Sequence, residues 1–132
     1  MNLSTTPKLN AVVFKRALPL AVTTCLSNRS LKHYTVSDKD YQTYASPYNQ
    51  YIKTSPDVVV LARDSTDVQR AVICAAQSKM RVQARAGGHS YAAFSSGTKN
   101  GGMVIDLRNL ASIKIDKKGG FATVGGGTRL GK

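Results

Sequence analysis

The feature that most narrows the possible folds is a strand, a helix and a second strand set end to end between Val58 and Arg85. Val58-Val59-Val60-Leu61-Ala62 is a short unbroken apolar run rich in β-branched side chains, the pattern of a strand buried on both faces. Asp64-Ser65-Thr66-Asp67 then offers an N-cap, with Gln69, three residues past Thr66, completing a capping box. Val68, Ala71, Val72, Ala75 and Ala76 recur at helical spacing as one small-residue stripe, and the helix is expected to end near Lys79. Arg81-Val82-Gln83-Ala84-Arg85 reads as the second strand. Such a βαβ unit commits the chain to an α/β (α+β) fold, with the right-handed crossover that parallel strands require.

In open α/β sheets, ligands bind beyond the carboxyl ends of the strands. The residues placed there are Arg85-Ala86-Gly87-Gly88-His89-Ser90-Tyr91. Two adjacent glycines strip side chains from the turn, so a bulky anion can approach bare N–H groups arranged as a nest. Arg85 is either a strand residue with a solvated head or a phosphate fork. His89 is either a loop histidine bonded to backbone or a functional ring, and its place beside Gly87-Gly88 keeps both readings open.

Beyond this loop, residues 95–102 read as a surface loop and Met103-Val104-Ile105-Asp106-Leu107 as a third strand. Ile113-Lys114-Ile115 and Phe121-Ala122-Thr123-Val124 flank a glycine-supplied turn and form a hairpin. The tail from Gly126 to Lys132 imitates a phosphate loop, but it lacks the following Ser or Thr and the helix that would hold phosphates. It is also a poor dinucleotide fingerprint, since Leu130 stands where the third glycine belongs. A glycine-rich turn with nothing after it is what a truncated product would show.

Residues 1 to about 55 read as polar and irregular, with a helix from Val12 to Leu26 interrupted at Pro19. Tyr34, Tyr41, Tyr44, Tyr48 and Tyr51 suggest a long arm, each ring covering apolar surface while its hydroxyl stays wet. An aromatic ligand platform is the less favoured alternative. At 132 residues there is room for one domain, and no apolar run approaches the roughly 18 residues of a spanning helix.

Nineteen Lys and Arg against seven Asp and Glu give +12, which raises nucleic acid or polyphosphate as a partner. The basic residues are scattered, however, and few aromatics lie among them, so no nucleic-acid partner is expected. Cys25 and Cys74 permit one disulfide and no cysteine metal site, and His33 and His89 lie too far apart in sequence to suggest a zinc cluster. The two cysteines are either an inert pair or a bridge. Cys74 lies off the small-residue stripe, where it could face an N-terminal helix, and the bridge is preferred. The apolar stretch near Pro19 is a poor signal peptide, while Asn2-Leu3-Ser4 and Asn28-Arg29-Ser30 are possible glycosylation acceptors that would suit secretion.

Taken together, several stretches in register resemble the N-terminal half of the FAD-binding domain of the vanillyl-alcohol oxidase/p-cresol methylhydroxylase (PCMH-type) superfamily, in its berberine bridge enzyme-like and oligosaccharide oxidase branch. They are Pro56-Asp57-Val58-Val59-Val60, Ser65-Thr66-Asp67-Val68, Arg85 through Tyr91, Val104 through Leu110, and Val124 through Gly131. The resemblance implies an N-terminal arm over 1–52 and a truncated FAD-binding domain over 53–132. It further implies that Arg85, Ala86, Gly87, Gly88, His89, Ser90 and Tyr91 bind FAD. In the family the glycine loop wraps the pyrophosphate, and the histidine matching His89 is bonded to the 8α-methyl of the flavin ring.

Cysteines matching Cys25 and Cys74 form a disulfide in many members. The implied activity is oxidation of an alcohol, sugar or alkaloid-like small molecule with oxygen as acceptor, in a secreted protein with no membrane association. Family enzymes are several hundred residues long and carry a second, cysteinyl flavin link further on, together with the substrate domain and catalytic base. A chain of this length alone is therefore expected to be inactive. The alternative is a basic, non-enzymatic nucleic-acid or polyphosphate module.

Overall fold

A computed structural model describes residues 20–97 and 101–131. The part of the expected first helix before Pro19, the Asn2 acceptor site and Lys132 lie outside the described residues. The described part of that helix is α1 (Leu20–Asn28). It is followed by β1 (His33–Thr35), α2 (Tyr41–Ala45) and β2 (Val58–Leu61). Next come α3 (Ser65–Gln77), β3 (Val82–Arg85), a 3₁₀ turn at Phe94–Ser96 and β4 (Met103–Asp106). The hairpin is β5 (Ile113–Asp116) and β6 (Phe121–Val124).

β1, β2, β4 and β3 form one sheet in that order, and β5–β6 form a second, two-stranded sheet. β2, β4 and β3 are parallel, while β1 adds antiparallel to β2. The crossover through α3 therefore skips a position, and β4 inserts between the two strands of the βαβ unit.

All of β2 is buried, and alternation along it serves two cores. Val58 and Val60 pack with Val22, Leu26, Ala71, Cys74 and Ile105 under α1 and α3. Val59 and Leu61 pack with Tyr41, Ala45 and Val104 on the α2 side. Each such fully buried aliphatic side chain contributes about 1.5–3 kcal/mol, and a polar side chain in this run would be buried on one face or the other. β3 lies at the sheet edge and is exposed until Arg85.

Helix α3 differs from expectation in frame. Its N-cap is Asp64, whose side chain accepts from the Asp67 amide at 2.8 Å. Asp67 in turn accepts from the Arg63 amide and from the Arg63 guanidinium. The expected box with Gln69 does not form: Gln69 is exposed, and the buried Asp67 reaches back instead to the amide of Arg63, the residue before the cap.

The buried face of α3 is Asp67, Ala71, Cys74 and Ala75, while Val72 turns outward. Cys74 thus lies on the inward face rather than off it, and it is bonded to Cys25 of α1. The 20–52 segment is also less irregular than expected. It supplies core residues, a sheet strand, and the Tyr41 hydroxyl, which donates to the Pro56 carbonyl at 2.5 Å. That hydroxyl is buried and bonded rather than wet.

Candidate functional site

The ladder between β3 and β4 ends with the Leu107 amide donating to the Arg85 carbonyl at 2.8 Å, and the Ala86–Tyr91 loop leaves the sheet there. Gly88 sits at φ +72°, a conformation that side chains resist. A Cβ at Gly88 would stand 3.2 Å from the Arg85 side chain, and one at Gly87 would stand 3.3 Å from the His89 ring. The N–H groups of Gly87, Gly88, His89 and Ser90 donate to no acceptor among the described residues. A run of unspent amides in a glycine turn is the donor set of an anion nest.

Arg85 is a strand residue, closing β3, but its head follows neither of the readings weighed for it. It is only 5% exposed, so its head is not solvated. Its Nε and Nη2 donate to Asp106 Oδ2 at 3.1 and 2.8 Å, and Nη2 also donates to the Tyr44 carbonyl. These bonds take up the face that a phosphate fork needs.

Asp106 is fully buried and also accepts from the Arg108 amide, Nε and Nη2. Burial alone would raise its pKa, but the hydrogen bonds from Arg108 and Arg85 outweigh that and hold the carboxyl below its usual range. The Arg108 guanidinium lies 5.0 Å from the centre of the Tyr44 ring, which stacks on Tyr34 at 4.3 Å. An ion-paired, aromatic-capped base therefore carries the root of the loop.

His89 is exposed, and the ring of Tyr48 meets it edge-on at 5.1 Å and 69°. Tyr48 also approaches Tyr91 at 6.5 Å, and Asn49 Nδ2 donates to the Tyr91 carbonyl at 2.6 Å. Ser90 Oγ accepts from the Phe94 amide at 3.3 Å, which turns the chain into the 3₁₀ segment. The seven expected residues are thus contiguous in space, with Arg85 turned inward and His89 and Tyr91 turned out.

Sequence reasoning missed Asp106, Arg108 and Asn49 as contributors, and it placed Tyr44 and Tyr48 in a covering arm, with an aromatic platform only as the less favoured alternative. Asp106 had a detectable signal, an acidic residue at the carboxyl end of a strand in a chain poor in acids. Asn49 had none, because its contact spans about forty residues, and the tyrosine run holding Tyr48 did not say which ring would meet the loop.

Two clefts lie elsewhere among the described residues. One of about 400 Å³ is lined by Tyr51–Ser55, and another of about 140 Å³ lies between Arg81–Gln83 and Gly102–Met103. The phosphate-loop reading of the tail also has a structural answer. The Gly125 amide donates to the Ser112 carbonyl and that of Gly127 to the Leu110 carbonyl, and a Cβ on either glycine would overlap backbone oxygens of Leu110 or Leu107. Those glycines serve close backbone packing. Among the described residues there is no cluster able to hold a metal ion and no helix able to cross a membrane.

The model of the family described as FAD binding domain matches residues 56–132. The chain is 30% identical over 131 residues to the xylooligosaccharide oxidase of Thermothelomyces thermophilus, covering 99% of this chain and 26% of that protein. The solved structure of a xylooligosaccharide oxidase from Myceliophthora thermophila in complex with xylobiose superposes with a TM-score of 0.78 at 32% identity, over 84% of this chain and 24% of that one. The wild-type BBE-like 1 structure of Physcomitrella patens does so with a TM-score of 0.79 at 31% identity, over 83% and 24%. The chain spans about a quarter of the length of these relatives. By the extent of the family match and by these likenesses, the chain belongs to the FAD-binding-domain family.

Proposed function

We propose that this chain forms the pyrophosphate-binding part of a secreted FAD-linked oxidase acting on an alcohol or sugar carbon, with His89 as the covalent flavin anchor. The observation that carries this reading is the Gly87–Ser90 run of amides without protein acceptors, on a turn where added Cβ atoms would crowd their neighbours. Bound FAD would supply the ring that accepts hydride from substrate and returns the electrons to oxygen. The chain's own part is to bind and orient: amides 87–90 donate to anionic oxygens, and the exposed His89 imidazole reaches out of the same turn. Arg85 and Asp106 keep that turn at the end of β3, with Ser90 and Tyr91 as supports. The domain boundary near residue 53 belongs to this proposal, as does a sugar-like small-molecule substrate. Secretion is supported by the Cys25–Cys74 bond, which persists in oxidising compartments, and by the exposed Asn28 acceptor site.

The test is colour. Protein expressed in a flavin-replete host should yield a yellow precipitate in acid, and His89→Ala should yield a colourless one. If His89→Ala keeps acid-stable colour, the anchor assignment is wrong. If the unaltered protein stays colourless and instead binds nucleic acid in a salt-sensitive manner unaffected by His89→Ala, the basic-module reading takes its place.

A further inference from the structure

We infer that Tyr48 and Asn49 are positioning residues for His89, acting from a segment that lies before the 56–132 match. This rests on the reading of His89 as the flavin anchor. The stretch from Tyr44 to Asn49 meets the Arg85–Tyr91 loop at three separate points. At the loop's root, the Tyr44 carbonyl accepts from Arg85 Nη2. At its middle, the Tyr48 ring stands edge-on to the His89 ring. At its far end, Asn49 Nδ2 donates to the Tyr91 carbonyl.

The stretch is itself fixed. Ala45 and Pro47 are buried, Ser46 bonds back to the Gln42 carbonyl through both its amide and its hydroxyl, and Asn49 Oδ1 accepts from the Tyr51 amide. Asn49 therefore uses both ends of its carboxamide, and a side chain so held is a rigid strut. Tyr48 is 63% exposed, so burial does not account for its position, and its ring contacts are to His89 and Tyr91. An exposed imidazole is free about χ1 and χ2 unless something limits it. A ring packed against it, with the following carbonyl tied down two residues later, limits both rotations. Attachment to a carbon of the cofactor needs a ring nitrogen held at a defined point, and small misplacements of reacting groups are costly.

The experiment compares Tyr48→Ala, Tyr48→Phe, Asn49→Ala and Tyr51→Ala in the full chain. Two readouts are used: the NMR shift of the His89 ring protons, and the rate at which acid-stable colour forms with FAD supplied. Tyr51 is 96% exposed and makes no ring contact among the described residues, so it is the control from the same segment. Tyr48→Ala is expected to move the His89 protons and slow attachment about tenfold or more, as for a reacting group misplaced by a fraction of an ångström. Asn49→Ala should act in the same direction, whereas Tyr48→Phe and Tyr51→Ala should match the parent.

The inference is overturned if Tyr48→Ala leaves both readouts at the parent value, or if Tyr51→Ala changes them as much. Should Tyr48→Ala fail to fold, Asn49→Ala decides, supporting the inference if it shifts the His89 protons and overturning it if it does not. If the parent takes up no flavin, the anchor reading fails by itself, and the His89 ring-proton shift in Asn49→Ala, which removes no aromatic ring, still decides whether this segment fixes His89.

Discussion

Asp106 shows how one residue can hold a loop it does not belong to. It pairs in register with Arg85 across two parallel strands, and both guanidinium groups that reach it do so through more than one bond. Removing the charge leaves Arg85 buried without its counter-ion, and breaking one partner of a buried pair costs about 3–5 kcal/mol. Asp106→Asn should therefore lower stability by about that amount in urea titrations, with most of the loss from the unpaired Arg85. Because the folded-state pKa of Asp106 lies below its unfolded value, its contribution is fully present above the unfolded pKa, near 3.8. It is lost as pH falls through the lower, folded value. The parent should weaken steeply below about pH 4, and Asp106→Asn should show a shallower acid limb. Equal acid limbs in the two proteins would mean that the fold does not lower the Asp106 pKa.

At the scale of elements, the strands that were easiest to read were those whose environment is set locally. β2 and β4 are apolar runs, and each appeared in the sequence within a residue of its observed bounds. Their order in the sheet was not legible, since nothing local records that β4 inserts between β2 and β3. The segment before β2 looked like an arm because β1 has only three residues and α2 only five. Neither is long enough to show a period.

The Cys25–Cys74 bond, anticipated from the sequence, ties α1 to α3 across 49 residues. Loop-closure entropy assigns a link of that span a stabilisation of about 4 kcal/mol. Reduction, or the double change Cys25→Ser and Cys74→Ser, should lower the urea midpoint accordingly with little change in far-ultraviolet dichroism just above freezing. The core residues Val22, Leu26, Ala71 and Ala75 still hold α1 against α3 in the absence of the bond. A midpoint indifferent to reductant would show that packing alone sets the helix pair.

The described residues divide into a sheet with a core on each side and a hairpin that none of them buries on either face. Every residue of β5 and β6 is exposed. Pairing sets Ile113 opposite Val124 and Ile115 opposite Ala122, so these four share one face, with Ile115 at 71% exposure. The sequence announced the hairpin clearly, because its turn chemistry is local, but not whether its apolar face would find a partner within the chain. An isolated two-stranded sheet is marginal in water, and here the bonds from Gly125 and Gly127 to the Leu110–Ser112 segment stitch it to the body. Hydrogen exchange should accordingly be fast in β5 and β6 and slow in β2 and β4. A substitution on that open face should cost little: Ile115→Lys should change unfolding free energy by no more than about 0.5 kcal/mol, the range for surface positions. It should also reduce binding of a hydrophobic dye, since it breaks up the exposed apolar patch. If Ile115→Lys instead destabilises by more than 1 kcal/mol, in a manner that depends on protein concentration, the face is covered in solution by a second copy of the chain.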